Sequence, residues 1–311
     1  MAVEVETGAF AHEALLYAGL DDFVDSTAAF VREGVARGEP VLVVVGAHKI
    51  GLLREELDSD AEQVFFADMG TVGTNPARII PAWEEFVDAH LREDRPVRGV
   101  GEPIWTERGA DELVECQRHE ALLNLAFADA PAWRLLCPYD TTTLPDDVID
   151  EALRTHPVVV RGGERQPSDR YEEPAARHEA PLPDPPADAV ELQFDRDLLA
   201  DARHLVFCRA AEAGLSPART HDLVLAAHEI LTNSVRHGGG SGTLRIWQED
   251  AAVVCEVEDG GRIDDPLVDR RRPDPDEPRG RGLWLANQLC DLVQIRSRDD
   301  GSVVRLHMRR A

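Results

Sequence analysis

The sequence predicts an α/β protein of two domains: a largely parallel sheet wrapped by helices, then an α/β sandwich with helices on one face of a mixed sheet. Three observations predict it. Residues 14–157 alternate short β-rich runs with amphipathic stretches of helical length, and residues 161–186 are dominated by Pro, Glu, Arg and Asp. The remainder, after one opening strand, runs helix, helix, strand, strand, loop, helix, strand, strand. A chain of 311 residues is long enough for each domain to bury its own core.

In the first domain, strands are expected at Ala14–Tyr17, Val41–Val45, Val64–Ala67, Val97–Val100 and Trp133–Cys137. Helices between them include Asp22–Arg37, Pro76–Arg92 and Ala110–Ala128. Such βα units pair their strands in parallel because each helix carries the chain back across the sheet. Pro181, Pro183, Pro185 and Pro186 mark an extended connection. The expected division is residues 10–158, a proline-containing linker at 159–187, and residues 188–311. In the last part, a strand at Val190–Phe194 precedes a helix from Leu198 to Ala213. A second helix begins at Ser216-Pro217 and runs to His237. Strands at Thr243–Gln248 and Ala252–Glu258 turn around Asp250, a charged loop spans Gly260–Arg279, and a helix covers Leu283–Cys290. Two strands, Leu292–Arg298 and Val303–Met308, close the chain.

Composition narrows the function. Asp and Glu outnumber Lys and Arg 59 to 33, so the summed field repels phosphate backbones and anionic lipid. Direct nucleic-acid binding is therefore not expected, and basic partners are favoured. The five cysteines are scattered and lack CxxC spacing, which indicates neither a disulfide framework nor a zinc site but reduced, buried thiols. With no basic-then-apolar leader and no run near 18 apolar residues, a cytoplasmic protein without membrane association is expected.

The second helix of the last part carries the chemistry. At 100° per residue, Leu223, Ala227, Ile230, Leu231 and Ser234 share the face that meets the sheet, while Glu229, Asn233 and Arg236 share another. Glu229 and Asn233 sit on adjacent turns, about 5–6 Å apart at Cβ. An Asn carbonyl is a competent Mg²⁺ ligand, and a neighbouring carboxylate can take a proton from a hydroxyl or water. Alone, this spacing equally describes a solvated face. Three further segments follow. Val257-Glu-Asp-Gly-Gly261 ends a strand with a carboxylate and glycines that admit a ligand to the backbone. Arg279-Gly-Arg-Gly-Leu283 puts glycines before a helix, where free N–H groups favour phosphate. Gly301-Ser-Val-Val-Arg-Leu306 opens the last strand with a hydroxyl.

In this order and spacing, the four segments resemble the N, G1, G2 and terminal boxes of the GHKL superfamily, over residues 190–311. The resemblance implies a Bergerat-type ATP-binding sandwich, with Glu229 as general base and Asn233 as Mg²⁺ ligand. It further implies that Asp259 accepts from the adenine amino group. Gly261, Gly280 and Gly282 would line the phosphate and lid region, with Arg279 and Arg281 available to phosphate and Ser302 near the base. A carboxylate in that place also rejects guanine, which offers an acceptor where adenine offers a donor. Within the superfamily the short, helix-first form most resembles the anti-sigma-factor serine kinases. That implies a kinase for an anti-anti-sigma (STAS) protein, sequestration of a sigma factor, and a homodimer. A sequestering protein without transfer, or a histidine-kinase-type sensor, are the alternatives. The only histidine in the first helix, His204, lies inside the ATP-binding module and reads as structural.

The first domain resembles the MEDS sensory domain, a RecA/KaiC-like relative. It does so on His12-Glu-Ala-Leu-Leu-Tyr17, Gly38-Glu-Pro-Val-Leu-Val-Val-Val45, Gly101-Glu-Pro-Ile-Trp105, Arg118-His-Glu-Ala-Leu-Leu-Asn124 and Cys137-Pro-Tyr-Asp140. Gly46-Ala-His-Lys-Ile-Gly51 lacks the phosphate cradle of a P-loop, so ATP hydrolysis is not expected here. Ligands of parallel sheets gather beyond the carboxyl ends of the strands. That rule nominates Tyr17, Asp68, Glu102, Trp105 and Tyr139, with His119 and Glu120 on a following helix, as a sensory pocket for a small molecule; packing is the competing reading for each.

Overall fold

The structure, a computed structural model, describes residues 10–92, 95–130, 133–173, 180–249, 251–273 and 281–310. The chain divides into two compact units, residues 1–177 and 178–311, each built on one sheet.

In the first unit, β1 (Ala11–Tyr17) leads to α1 (Gly19–Ala36), β2 (Val41–Val45) to α2 (Ala47–Leu57), and β3 (Val64–Asp68) to α3 (Met69–Val72) and α4 (Ile79–His90). Then come β4 (Val97–Gly101), α5 (Ala110–Ala126), β5 (Trp133–Asp140), α6 (Asp146–Thr155), β6 (Val158–Arg161) and β7 (Glu164–Pro167). The strand order is β3-β2-β4-β5-β1-β6-β7. Every pairing is parallel except β6 with β7.

Consecutive residues of β4 show why both faces are covered. Arg98, 1% exposed, reaches α1, where it donates to Phe30 O at 3.1 Å and to Glu33 at 2.7 Å. Gly99 faces the other way, and a Cβ there would strike Trp83 of α4. The helix expected from Pro76 opens as a 3₁₀ turn over Pro76–Arg78, capped by the Asn75 side chain, and becomes α-helical at Ile79. The expected linker also needs correction. Its first part, β6 and β7, forms a hairpin on the first sheet, because Val158 and Val159 are buried beside β1.

The second unit comprises β8 (Val190–Asp195), α7 (Leu199–Glu212), α8 (Pro217–His237), β9 (Ser241–Gln248), β10 (Ala252–Asp259), α9 (Arg281–Leu289), β11 (Leu292–Arg298) and β12 (Gly301–Arg309). Its sheet runs β11-β12-β10-β9-β8 and is antiparallel throughout, not mixed. The reason is local: β9 and β10, and β11 and β12, are consecutive strands joined by short turns, which forces opposite directions.

Helix α8 starts where Ser216 caps the Arg219 N–H with Pro217 behind it, and ends with Arg236 and His237 near its negative pole. Its apolar face, Leu223, Ala227, Ile230 and Leu231, packs in one core with Leu244, Val253, Val257 and Leu306 of the sheet. Each such Leu contributes about 1.5–3 kcal/mol by leaving water. The opposite sheet face is polar. Arg305 pairs with Glu256 at 2.9 Å, and Arg245 bridges Glu191 and Glu258 at 2.8 and 2.6 Å. The proline-rich segment lies on this face: Arg296 donates to Ala180 O at 3.0 Å and Arg305 to Pro183 O at 2.7 Å.

Candidate functional site

The second unit holds a cavity of about 390 Å³ between α8, the end of β10, the start of α9 and the start of β12. Ile230, Ile263, Val268, Leu283 and Val304 give it apolar walls, and Asn233, Asp259, Gly261, Gly282 and Ser302 add the polar and backbone edges. At one end, Asp259 is fixed from three sides. Its Oδ2 accepts from the Ser234 hydroxyl at 2.5 Å, and its Oδ1 accepts from the Gly261 N–H at 2.7 Å and the Ser302 hydroxyl at 3.3 Å. Strand register makes the last contact, since Asp259 and Ser302 are directly paired. A carboxylate has about four lone-pair sites, so one remains for a donor on a ligand.

The backbone keeps that end open. A Cβ on Gly261 would lie 2.8 Å from Gly238 Cα and 2.9 Å from Asp259 Oδ1, and one on Gly238 would overlap the Asp259 carboxylate. At the other end Gly282, in the first turn of α9, meets α8. A Cβ on it would fall 3.0 Å from Asn233 Nδ2 and 3.1 Å from Glu229 Oε2. Glu229, Asn233 and Gly282 are thus brought together, and the four separated segments meet around one space. Arg281 lies exposed on the first residue of α9, while Arg279 and Gly280 fall outside the described residues. The charged loop is exposed at Arg262 and Asp264 but packed at its middle. Asp269 is 1% exposed and accepts from Asn287 Nδ2 on α9 at 3.0 Å.

With this geometry in place, comparison with known proteins is decisive for both units. Residues 11–157 match the family MEDS, described as MEthanogen/methylotroph, DcmR Sensory domain, and residues 192–308 match the family of the histidine kinase-like ATPase domain. The chain is a MEDS domain followed by a histidine kinase-like ATPase domain. That ATPase domain is of the GHKL type and implies ATP binding. No curated protein matches it. Among solved structures, the RsbU and RsbW domains of Rv1364c from Mycobacterium tuberculosis are similar at 18% identity, with a TM-score of 0.31. The match covers 66% of this chain and 50% of that one, so the chain spans about half the length of this neighbour.

In the MEDS domain, a cavity of about 490 Å³ opens beyond the carboxyl ends of β1 to β5. Tyr17, Asp68, Glu102 and Trp105 line it, as the sequence predicts, together with Lys49 and Asp140. Lys49 is the residue the sequence reading overlooked. Its ammonium donates to the Tyr17 hydroxyl at 2.6 Å and to Glu102, and the Tyr17 hydroxyl donates to Glu102 at 3.0 Å. Burial raises the pKa of Glu102, against the pull of Lys49, and burial beside Glu102 raises that of Tyr17. The only signal was a lone lysine two residues after Ala47, in a segment remarkable to sequence reading solely for lacking a P-loop.

Three nominated residues do not line this cavity. His119 and Glu120 lie inside α5 and, like Tyr139, are buried at 1% exposure. The pleat explains Tyr139: its neighbour Asp140 faces the cavity, so Tyr139 faces the helices, 5.5 Å from the His156 ring. Glu120 instead contacts His12 at 3.0 Å and His156 at 3.3 Å. Burial disfavours the charged form of Glu120, but the neighbouring His12 and His156 outweigh it and lower its pKa. Burial and the adjacent His156 lower the pKa of His12 to about 4. Burial, then Glu120, raises Cys137 and Tyr139. Among the described residues, no helix is long and apolar enough to cross a membrane.

Proposed function

We propose that the ATPase domain binds ATP with Mg²⁺ in the 390 Å³ cavity and phosphorylates a Ser or Thr of an anti-anti-sigma (STAS) partner, and that in its other state it sequesters a sigma factor. The supporting observation is the meeting of Glu229, Asn233 and Gly282 at one end of a cavity whose other end is the fixed carboxylate of Asp259. Asp259 accepts the adenine amino group, with Ser302 beside the base. Asn233 holds the cation through its carbonyl oxygen. Gly261 and Gly282 leave backbone close to the ligand, and Gly280, Arg279 and Arg281 take the phosphate-side roles that the resemblance implies. Bound Mg²⁺–ATP supplies the transferable phosphoryl group and the cation that offsets its charge. Glu229 orients and deprotonates the attacking hydroxyl.

The fit to that cofactor is steric as well as chemical. Gly282 removes the one Cβ that would fill the space between Glu229 and Asn233. The net charge of −26 suits a basic surface on the sequestered partner. The MEDS domain senses a small molecule in the cavity of Tyr17, Lys49, Glu102 and Trp105, the protein is a cytoplasmic homodimer, and residues 159–187 serve in part as the connection.

The test is incubation of the full chain with γ-labelled ATP and a candidate STAS protein. Acid-stable label on a Ser or Thr of the STAS protein is expected. Glu229→Ala abolishes transfer and spares ATP binding, while Asn233→Ala weakens binding only when Mg²⁺ is present. ATP binding with no transfer would leave a sequestering protein. Acid-labile label on the chain itself would indicate a histidine kinase, for which His204, exposed on α7, is the residue to check.

A further inference from the structure

Four side chains unused by either cavity converge inside the MEDS domain. His12 comes from β1, Glu120 from α5, Cys137 from β5 and His156 from the junction of α6 and β6. All four are at most 1% exposed, and their donor atoms lie within 4.8 Å of one another. Glu120 Oε2 is 3.0 Å from His12 Nε2 and 3.3 Å from His156 Nε2, and Cys137 Sγ is 3.4 Å from His12 Nε2.

The outer hydrogen bonds decide what these atoms present to each other. His156 Nδ1 lies 2.8 Å from Ala152 O, a carbonyl that only accepts, so Nδ1 carries the proton. Asn124 donates through Nδ2 to Thr155 O at 2.8 Å, which turns its Oδ1 toward His12 Nδ1 at 3.2 Å and again demands a proton there. In the neutral imidazoles both Nε2 atoms are then lone pairs, and both point at a carboxylate oxygen. Three acceptors stand together in a space without solvent. Glu120 Oε1 and the Tyr139 hydroxyl beside them make no hydrogen bond. Such an arrangement is complete only with positive charge at its centre.

We propose that His12, Glu120, Cys137 and His156 form a tetrahedral site for a divalent transition-metal ion of the zinc class. Ligand bonds of 2.0–2.3 Å at tetrahedral angles set donors about 3.3–3.7 Å apart, close to the 3.0, 3.3 and 3.4 Å spacings above and inside the 4.8 Å that bounds every pair. Two imidazoles, a carboxylate and a thiolate suit zinc, whereas Mg²⁺ and Ca²⁺ take oxygen donors. Anchoring each ligating imidazole through its other nitrogen is the usual outer arrangement of such sites. Four protein donors leave no open position, so the ion ties β1, α5, β5 and the α6–β6 junction together rather than performing chemistry. Binding releases the Cys137 proton to solvent.

The experiment uses the untagged full chain, stripped with a chelator and titrated with Co²⁺ in the presence of excess Mg²⁺ and no nucleotide. One equivalent of Co²⁺ is taken up, with tetrahedral d–d absorption and a thiolate-to-cobalt charge-transfer band, and one proton is released. Cys137→Ser keeps the d–d bands and loses the charge-transfer band. His156→Ala weakens uptake by more than about 10-fold. Asn233→Ala, in the other domain, leaves uptake unchanged. Circular dichroism establishes that each variant is folded. Absence of stoichiometric uptake by the folded native chain overturns the proposal in favour of a cluster held by shared protons. Uptake indifferent to both Cys137→Ser and His156→Ala overturns it in favour of another site.

Discussion

Replacing Asp259 by Asn tests the end of the ATPase-domain cavity proposed to recognise the base, with the least disturbance to shape. The native carboxylate accepts three hydrogen bonds, from Ser234 at 2.5 Å, Gly261 N–H at 2.7 Å and Ser302 at 3.3 Å. An Asn side chain has one accepting and one donating end. The Gly261 N–H cannot accept, so the amide oxygen stays at the Oδ1 position and the NH₂ group takes the place of Oδ2. Ser234 tolerates this, because its hydroxyl already has Ile230 O within 3.1 Å as an alternative acceptor. The domain stays folded. The adenine amino group fares worse, since it meets a donor where an acceptor stood. An opposed, buried donor costs about 1–3 kcal/mol, which weakens ATP binding about 5- to 150-fold. Guanine presents an acceptor at the same place, so the preference for ATP over GTP narrows or reverses. Calorimetry of the full chain with each nucleotide, alongside thermal unfolding, measures this. ATP affinity within about twofold of wild type in a folded variant, with selectivity unchanged, would refute the reasoning.

Gly282→Ala gains up to about 1 kcal/mol of helix propensity but meets about 1–3 kcal/mol of overpacking against Glu229 and Asn233. Thermal unfolding should therefore show a small loss of stability at most, while Mg²⁺-dependent ATP binding falls clearly; unimpaired binding would mean that contact is irrelevant to the site. Of the five cysteines, four are buried, and burial then Glu256 pushes the Cys255 thiol up to about 12. A thiol reagent on the native chain at pH 8 should modify Cys208 first, and peptide mapping that finds Cys255 labelled as fast would contradict the burial described. Glu33 is held at about 2 by its hydrogen bond from Arg98, against the pull of burial. Its contribution is full above its usual carboxylate range and is lost as pH falls toward 2, so Glu33→Gln should lower stability near neutrality and flatten the acid limb of a stability-against-pH curve, the variant and native curves converging toward pH 2.

The meeting of four segments around the ATPase-domain cavity was legible in the sequence because its parts obey local rules. The 100° spacing puts Leu223, Ala227 and Ile230 on the sheet side of α8, and this fixes Glu229 and Asn233 at the cavity rim. Ser234 was read as packing. It does pack, but its hydroxyl also holds Asp259, a partnership between residues 25 positions apart that no spacing rule reveals. The antiparallel direction of the second sheet was lost because strand patterns give faces, not partners. In the MEDS domain, the rule of carboxyl ends found Tyr17, Asp68, Glu102 and Trp105, but misplaced Tyr139 by one step of the pleat. His12, Glu120, Cys137 and His156 come from four distant segments. Metal spacing within a short motif, the feature a sequence search looks for, does not exist for a site assembled by the topology itself.

The hairpin at the end of the MEDS domain closes one edge of its sheet. A parallel sheet ending at β6 would offer Val158, Val159 and Val160 as a template for any passing strand. Strand β7 occupies that position with Glu164, Arg165, Gln166 and Pro167, all exposed, and it runs against the direction of its neighbours. Charge and a missing N–H make its outer rim a poor place for further backbone pairing. The stretch that composition marks as connector therefore doubles as a stopper, and trimming it to shorten the distance between domains would trade a tidier molecule for one prone to self-association.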